Sequence, residues 1–533
     1  MKKELWLAEK IFGNSLAEKT REHLADLASR QTRASRERAT ALLRQFHAEP
    51  GSKVVLGTTE WREPVEVPLQ YLVEAHSIIT GGTGSGKTMA ALLLIDALLS
   101  VPDPRCSFGV LDAKGELFER TLYLVARKLE TLPAPDAERL RNRIVIVDLS
   151  SQDVLSSYNI ASPWSGSDLD FFATSRLGTF QELLPAGDSL TLRGSAIVKH
   201  VLMLLAEHRL PFSYVDRVIA SEPLRMKLLA KSKEQDLRDY FRFHFPNEGR
   251  ATISAVRGRI ASALLSSLSL KLALSGNHAP DLRAIQDEGK ICLINCAGPN
   301  ISRTTARTLQ ALFISDIRQS VFARKAKTRP YVWVCDEAQH CYRTRQLREN
   351  MTELLTMSRS FGSFFLSLTQ NLTTAVQDGE TLETIHTNIR WSLTLPGSSK
   401  DGAFLQPAFP VTGRMPKPRL NPYAPVEFYS VSEERSQLLA GLASLPPRTG
   451  WLWLKSKSGE AIKIQTHALD LPEGDAFSEA VDRIRQDSSI GYRLSRAAFL
   501  EQIAKRDELY LKDDEPELAE KLKQSYRKAE DIA

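Results

Sequence analysis

The sequence predicts an α/β protein built on a parallel, doubly wound sheet, and three observations predict it. A short apolar strand, His76–Thr80, runs into the glycine-rich turn Gly81-Gly82-Thr83-Gly84-Ser85-Gly86-Lys87-Thr88 and then into a Leu- and Ala-rich helix over 89–99. A second apolar run, Tyr331–Cys335, ends in Asp336-Glu337, as a buried parallel strand with an acidic pair at its carboxyl end does. Further apolar runs at 107–111, 144–147, 291–295, 364–368 and 391–395 are mostly separated by helical patterns. Strands alternating with helical connections form parallel sheets.

The glycine-rich turn carries the most chemistry. Its glycines, Gly81, Gly82, Gly84 and Gly86, let the loop N–H groups converge on phosphate oxygens at a helix N-terminus, where the dipole favours anions. Thr83 and Ser85 complete the loop. Lys87 would reach the β- and γ-phosphates, and the Thr88 hydroxyl would hold Mg2+. Asp336 would hold the same ion through water, beside the phosphate loop, and Glu337 is placed to polarise an attacking water. A guanine-binding N-K-x-D string is absent, so ATP is the expected nucleotide. The string Leu274-Ser275-Gly276-Asn277 lacks the rest of a transporter-type signature.

The 533 residues suffice for more than one domain. Hydrophobic content of 42% and charged content of 25% are ordinary for a soluble globular protein. A net charge of +6 suits nucleic acid and suits a mildly basic enzyme equally. Cys106, Cys292, Cys296, Cys335 and Cys341 show no C-x-x-C spacing, which argues against zinc or a redox dithiol. So few cysteines in a long chain fit a reducing cytoplasm. The apolar stretch over 89–99 is too short to span a membrane and contains Asp96. The opening MKKELWLAEK is charged where a signal peptide needs an apolar core. A cytoplasmic protein with no membrane span of its own is expected, reaching the inner membrane only through a partner.

Residues 1–50 read as a polar helical segment. Arg30, Arg33, Arg36, Arg38 and Arg44 lie in its second half, as a solvated face or a nucleic-acid contact would require. A first part of the nucleotide-binding core is expected over 51–162, opening with a hairpin at 52–68. Residues 163–287 read as an all-α insertion domain, with helical patterns at 196–208, 215–221, 224–231, 236–244 and 251–274. The second part of the core is expected over 288–472. Residues 473–533 turn charged and helical with little core-forming content, which predicts a peripheral tail or a partner-docking segment.

Together these pieces resemble the HerA–FtsK superfamily of ring-forming nucleic-acid motors, and within it the TraG/TraD-type coupling proteins of type IV secretion. The residues that carry the resemblance are GGTGSGKT over 81–88, Asp112-Ala113-Lys114-Gly115-Glu116 after a strand, and Asp336-Glu337-Ala338-Gln339. Ser358-Arg359-Ser360-Phe361-Gly362 and Leu368-Thr369-Gln370-Asn371 look like the family's arginine-then-glutamine pair, and the insertion precedes the acidic strand as it does there. The resemblance spans 51–472. Coupling proteins usually open with transmembrane helices and HerA proteins with a β-barrel, whereas this chain opens with the polar segment.

The resemblance implies a RecA-like sheet, ATP with Mg2+, DNA as substrate and a homohexamer with ATP at subunit junctions. Lys87, Thr88, Asp336, Glu337 and Gln370 would come from one protomer. Arg359 would reach from its neighbour as an arginine finger. Gln370 would sense the γ-phosphate or orient the water, since its amide both donates and accepts. Lys114 would face substrate or phosphate. Arg343, Arg345, Arg348, Arg250, Arg257 and Arg259 are basic candidates for a DNA path, although each cluster taken alone reads more readily as a solvated face. The expected function is an ATP-driven DNA translocase. The alternatives are an ATPase subunit of a DNA-processing or phage-defence complex with a nuclease partner, and an ATP-gated recruitment adaptor. A relaxase or secretion channel would be the partner in conjugation.

Overall fold

The computed structural model describes residues 22, 26, 33, 34, 36–100, 106–164, 167–183, 190–264, 268–370, 372–413, 415–417, 427–455, 459–491 and 493–511. The helical readings of 1–21 and 512–533, with Arg30 and Asn371, lie outside the described residues. The strands in chain order are β1 Lys53–Thr59, β2 Pro64–Pro68, β3 His76–Thr80, β4 Ser107–Asp112, β5 Ile144–Asp148, β6 Val154–Leu155 and β7 Ile291–Asn295. They continue with β8 Tyr331–Cys335, β9 Ser363–Thr369, β10 Ile389–Thr394, β11 Thr449–Leu454, β12 Ile462–Thr466 and β13 Leu494–Ser495. The chain divides into two compact units, residues 1–97 with 366–469 and residues 98–365 with 470–533.

In the first unit the strand order is β2-β1-β12-β11-β10-β3-β9. β3 lies between β10 and β9, parallel to both, and is buried from end to end. That burial is why HSIIT reads as one apolar run rather than an alternation. From β10 outward, β11, β12, β1 and β2 follow antiparallel. The sheet is therefore mixed, with β11 and β12 added to the strands expected from sequence. The N-terminal segment docks through Phe46, fully buried, whose ring meets Tyr71 at 5.7 Å. Arg36 pairs with Glu63 at 3.0 Å and Arg38 with Glu460 at 2.6 Å. The Thr40 hydroxyl, with Arg36, holds Glu63 below the usual carboxylate range. Arg33 also pairs with Glu37 at 3.0 Å, so Arg33, Arg36 and Arg38 all form ion pairs within the protein.

In the second unit β8, β4, β7 and β5 run in that order, all parallel and all buried along their length. Between β6 and β7 every regular element among the described residues is helical. Helix Leu192–Glu207 starts at Thr191, whose side chain accepts from Gly194 N–H, and helix Glu222–Leu229 starts at Ser221 in the same way. A buried ionic cluster ties helix Leu169–Leu183 to helix Arg303–Phe322. Asp316 accepts from Tyr158 at 2.7 Å, Trp164 at 2.8 Å and Arg176 at 2.6 Å. A buried carboxylate needs that many donors to offset its lost hydration.

The C-terminal residues correct the expectation of a peripheral tail. Phe477 stacks on Tyr123 at 5.4 Å, and Arg485 donates to Asp148 at 3.1 Å and to Glu119 at 3.2 Å. β13 pairs with β6, and Phe499 and Ile503 form an apolar cluster with Leu155. Asp507 accepts from the Tyr214 hydroxyl at 2.5 Å. The charge count misled because several arginines here, Arg485, Arg493 and Arg506 among them, are turned into the protein. Arg493, only 4% exposed, donates to the carbonyls of Ile484, Arg485, Asp487 and Ile490. Among the described residues no helix is long and apolar enough to cross a membrane.

Candidate active site

The phosphate loop belongs to the first unit, between β3 and helix Lys87–Ser100. Its entry is pinned on both sides of β3. Gly81 N–H donates to Thr369 O at the end of β9 (3.2 Å), and Gly82 N–H to Pro396 O beyond β10 (2.7 Å). Two glycines are required by what surrounds them. A Cβ on Gly81 would fall 2.5 Å from Ser85 Oγ, and one on Gly86, at φ +104°, would fall 2.7 Å from Arg448 Cγ. Lys87, 8% exposed, donates through Nζ to the carbonyls of Gly81 and Gly82, each at 2.9 Å. The ammonium is thereby held over the loop. Gln370, at the end of β9, accepts from Thr83 Oγ1 at 3.2 Å. The Ser85 hydroxyl is buried without a hydrogen-bond partner among the described residues. A glycine cradle, a lysine held over it and an orphaned buried hydroxyl fit a nucleotide phosphate chain.

The acidic pair belongs to the second unit, at the end of β8. Asp336 is 5% exposed, and its N–H donates to Leu111 O at 3.0 Å. Its carbonyl accepts from Gln310 Nε2 at 2.7 Å. Immediately beyond, Glu337 takes a left-handed backbone, φ +49°, which is uncommon outside glycine and clusters at functional sites. Gln339 Nε2 donates to the Glu337 carboxylate. Asp112, fully buried at the end of β4, accepts from the N–H groups of Lys114 (2.7 Å) and Phe118 (2.9 Å). It therefore fixes the turn that follows and starts helix Glu116–Thr131. Burial, then the charges of Asp112 and Glu337, push Asp336 up to about 7.

That shift has a stability consequence. A carboxyl whose folded pKa is raised stabilises the fold below its unfolded pKa, and the benefit is lost as pH rises through the folded pKa. The charged Asp336 thus costs stability above about 7. Asp336→Asn is expected to stabilise the ligand-free protein at about pH 8 by on the order of 2 kcal/mol. The gain should shrink as pH falls through about 7, where Asp336 takes up its proton. Denaturant titrations at about pH 8 and at about pH 5 check this, and an unchanged midpoint above the folded pKa would contradict it.

Lys114 forms an ion pair with Glu116 at 3.0 Å, which raises its pKa together with the charges of Asp336 and Glu337. Arg359 lies in the second unit, on the 3₁₀ turn Ser358–Phe361, exposed and with no side-chain partner among the described residues. The turn closes with Gly362 N–H on Arg359 O at 3.0 Å. Its position is fixed by Arg324, which sequence reasoning missed. Arg324, 3% exposed, donates to Gly362 O (2.7 Å), Arg329 O (2.7 Å) and Ala326 O (3.0 Å). Of the basic candidates, Arg257 is bound by Asp216 (2.5 and 3.0 Å), Arg345 by Glu349 (2.8 Å), and Arg348 by the Tyr342 carbonyl (3.3 Å). Arg343 and Arg250 are exposed. Gln310 and Arg448 were also missed. A glutamine in the apolar stripe of helix Arg303–Phe322 was the available signal for Gln310, whereas nothing local marked Arg448.

Residues 54–171 match the family model described as helicase HerA, central domain. Among solved structures the chain is similar to the bacterial conjugative coupling protein TrwBdeltaN70, at 15% identity and a TM-score of 0.49, covering 81% of this chain and 91% of that one. It is also similar to plasmid coupling protein TrwB in complex with ADP and Mg2+, at 14% identity and 0.48, covering 81% and 98%. VirB4 of Thermoanaerobacter pseudethanolicus is similar at 14% identity and 0.47, covering 79% and 98%. No curated protein matches the chain. The matched segment runs from the hairpin through the phosphate loop and the turn held by Asp112, and over those residues the chain is similar to the central domain of helicase HerA.

Proposed function

We propose that this protein is an ATP-driven motor that assembles as a homohexameric ring and moves DNA, as a cytoplasmic translocase of the coupling-protein kind. The observation that carries the reading is the phosphate loop, with Lys87 held over it and Gln370 within hydrogen-bond reach of Thr83. In this reading the N–H groups of Gly81, Gly82, Thr83, Gly84, Ser85 and Gly86 bind the phosphate chain of ATP, and Lys87 binds the β- and γ-phosphates. Thr88 would hold Mg2+ directly and Asp336 through water; when bound, the ion offsets charge on the phosphate oxygens. Glu337 accepts the proton of the attacking water, and Gln370 orients that water. Arg359 reaches the nucleotide of the neighbouring protomer and stabilises the charge of the transition state. DNA would be held by its backbone and without sequence preference. A relaxase with a secretion channel, or a nuclease, would supply the pathway.

The ring and the role of Arg359 share one test. Rings of Arg359→Ala protomers and rings of Lys87→Ala protomers each lack one half of every site. Mixed rings contain some complete junctions, so phosphate release should rise above that of either variant alone and peak at intermediate ratios. Flat activity across the ratios, with subunit exchange demonstrated by labelled protomers, would remove Arg359 from the trans role.

A further inference from the structure

We infer that Arg448 is an additional phosphate-binding residue of the nucleotide site, supplied within the same unit from the turn before β11. The inference rests on the nucleotide reading above and adds to it a contact outside the phosphate-loop motif.

Four observations carry it. The backbone of Arg448 is joined to the loop, its N–H donating to Ser85 O at 2.8 Å. The stem of its side chain lies along the loop, since a Cβ on Gly86 would come within 2.7 Å of Arg448 Cγ and 3.5 Å of Arg448 Cβ. From the other side, Thr466 at the end of β12 holds the residue, with N–H and Oγ1 donating to Arg448 O at 2.8 and 3.3 Å. Arg448 sits at φ +65°, a left-handed conformation that glycine takes readily and arginine does not.

Arg448 is half-buried, and its guanidinium makes no hydrogen bond or ion pair among the described residues. In the same unit Arg36 and Arg38 both have carboxylate partners. At the loop, Arg448 therefore joins backbone N–H groups, the Lys87 ammonium and the buried, unpartnered Ser85 hydroxyl. Those groups are donors converging on one place, which is the chemistry of an anion site. A planar guanidinium matches phosphate oxygens with paired hydrogen bonds. Clamping the residue in an unfavourable backbone conformation brings that fork to the flank of the loop at Gly86.

The test uses the full-length chain and compares Arg448→Gly, Arg448→Lys and Arg448→Gln. Binding of ATP, ADP and inorganic tripolyphosphate is read by displacement of a fluorescent nucleotide, alongside the melting temperature. Arg448→Gly relieves the left-handed backbone, so its melting temperature should equal or exceed that of the wild type. Its affinity for ATP and for tripolyphosphate should nonetheless fall together by about 10-fold or more, the effect of losing a charge-assisted hydrogen bond. Arg448→Lys should bind more tightly than Arg448→Gln, since the two keep the same backbone and similar stems and differ in charge. Equal binding by those two variants would overturn the inference whatever the stability of the glycine variant. A loss confined to ATP and ADP, with tripolyphosphate unaffected, would also overturn it by pointing to the base or ribose. Failure of the wild type to bind any of the three would instead overturn the nucleotide reading itself.

Discussion

Lys87→Ala should reduce ATP hydrolysis by a factor of at least about 10²–10³, the usual effect of removing one preorganised donor from a charged transition state. The structure says why the loss should be chemical rather than conformational. Lys87 Nζ spans the Gly81 and Gly82 carbonyls, but the loop is also held by Gly81 N–H on Thr369, Gly82 N–H on Pro396 and Ser85 O on Arg448. Those bonds survive the substitution. The stability change should stay near 1 kcal/mol, the net effect of an ordinary hydrogen bond. Steady-state phosphate release and a denaturant titration on the same preparation separate the two effects. Hydrolysis at the wild-type rate would exclude the phosphate loop from the reaction.

Glu337→Gln should bind ATP normally and turn it over about 10²–10⁴-fold more slowly, the range for loss of a positioned general base. The substitution keeps size and shape at a residue whose left-handed backbone is held by His340 N–H on Glu337 O at 2.9 Å. The carboxylate also accepts from Gln339. A glutamine there retains a hydrogen-bonding side chain and loses only the basic oxygen. The expected signature is a trapped ATP complex with little released phosphate in a single-turnover measurement. Near-normal turnover would assign water activation to another group.

How legible these features were depends on how local their causes are. Tyr331–Cys335 and His76–Thr80 were legible because a strand buried on both faces writes a continuous apolar run. The phosphate loop was legible because its glycines, lysine and threonine follow one another in eight adjacent residues. β11 and β12 were readable in principle from the alternation in TGWLWL and IKIQT, but they lie after the last strand the α/β pattern required. Residues 475–511 read as charged with little core-forming content, because arginines such as Arg485, Arg493 and Arg506 do not register as core in a sequence. Each instead bonds to atoms brought close only by folding, as Arg506 does to Ser275 O at 2.6 Å. Arg324 and Arg448 were illegible for the same reason. Their roles depend on the carbonyl of Gly362 and on the flank of Gly86, and no spacing in the chain records either.

The central claim is that ATP hydrolysis here is coupled to DNA. The most direct measurement is the rate of phosphate release by the assembled protein with and without single- and double-stranded DNA, at low and at moderate salt. The motor reading predicts that at least one form of DNA accelerates hydrolysis. It also predicts that the acceleration weakens steeply with added salt and varies little with sequence, because contacts to a phosphate backbone release counterions and read no bases. Hydrolysis that neither form of DNA alters, in a protein that binds neither, would contradict the account and favour an ATP-gated adaptor in its place.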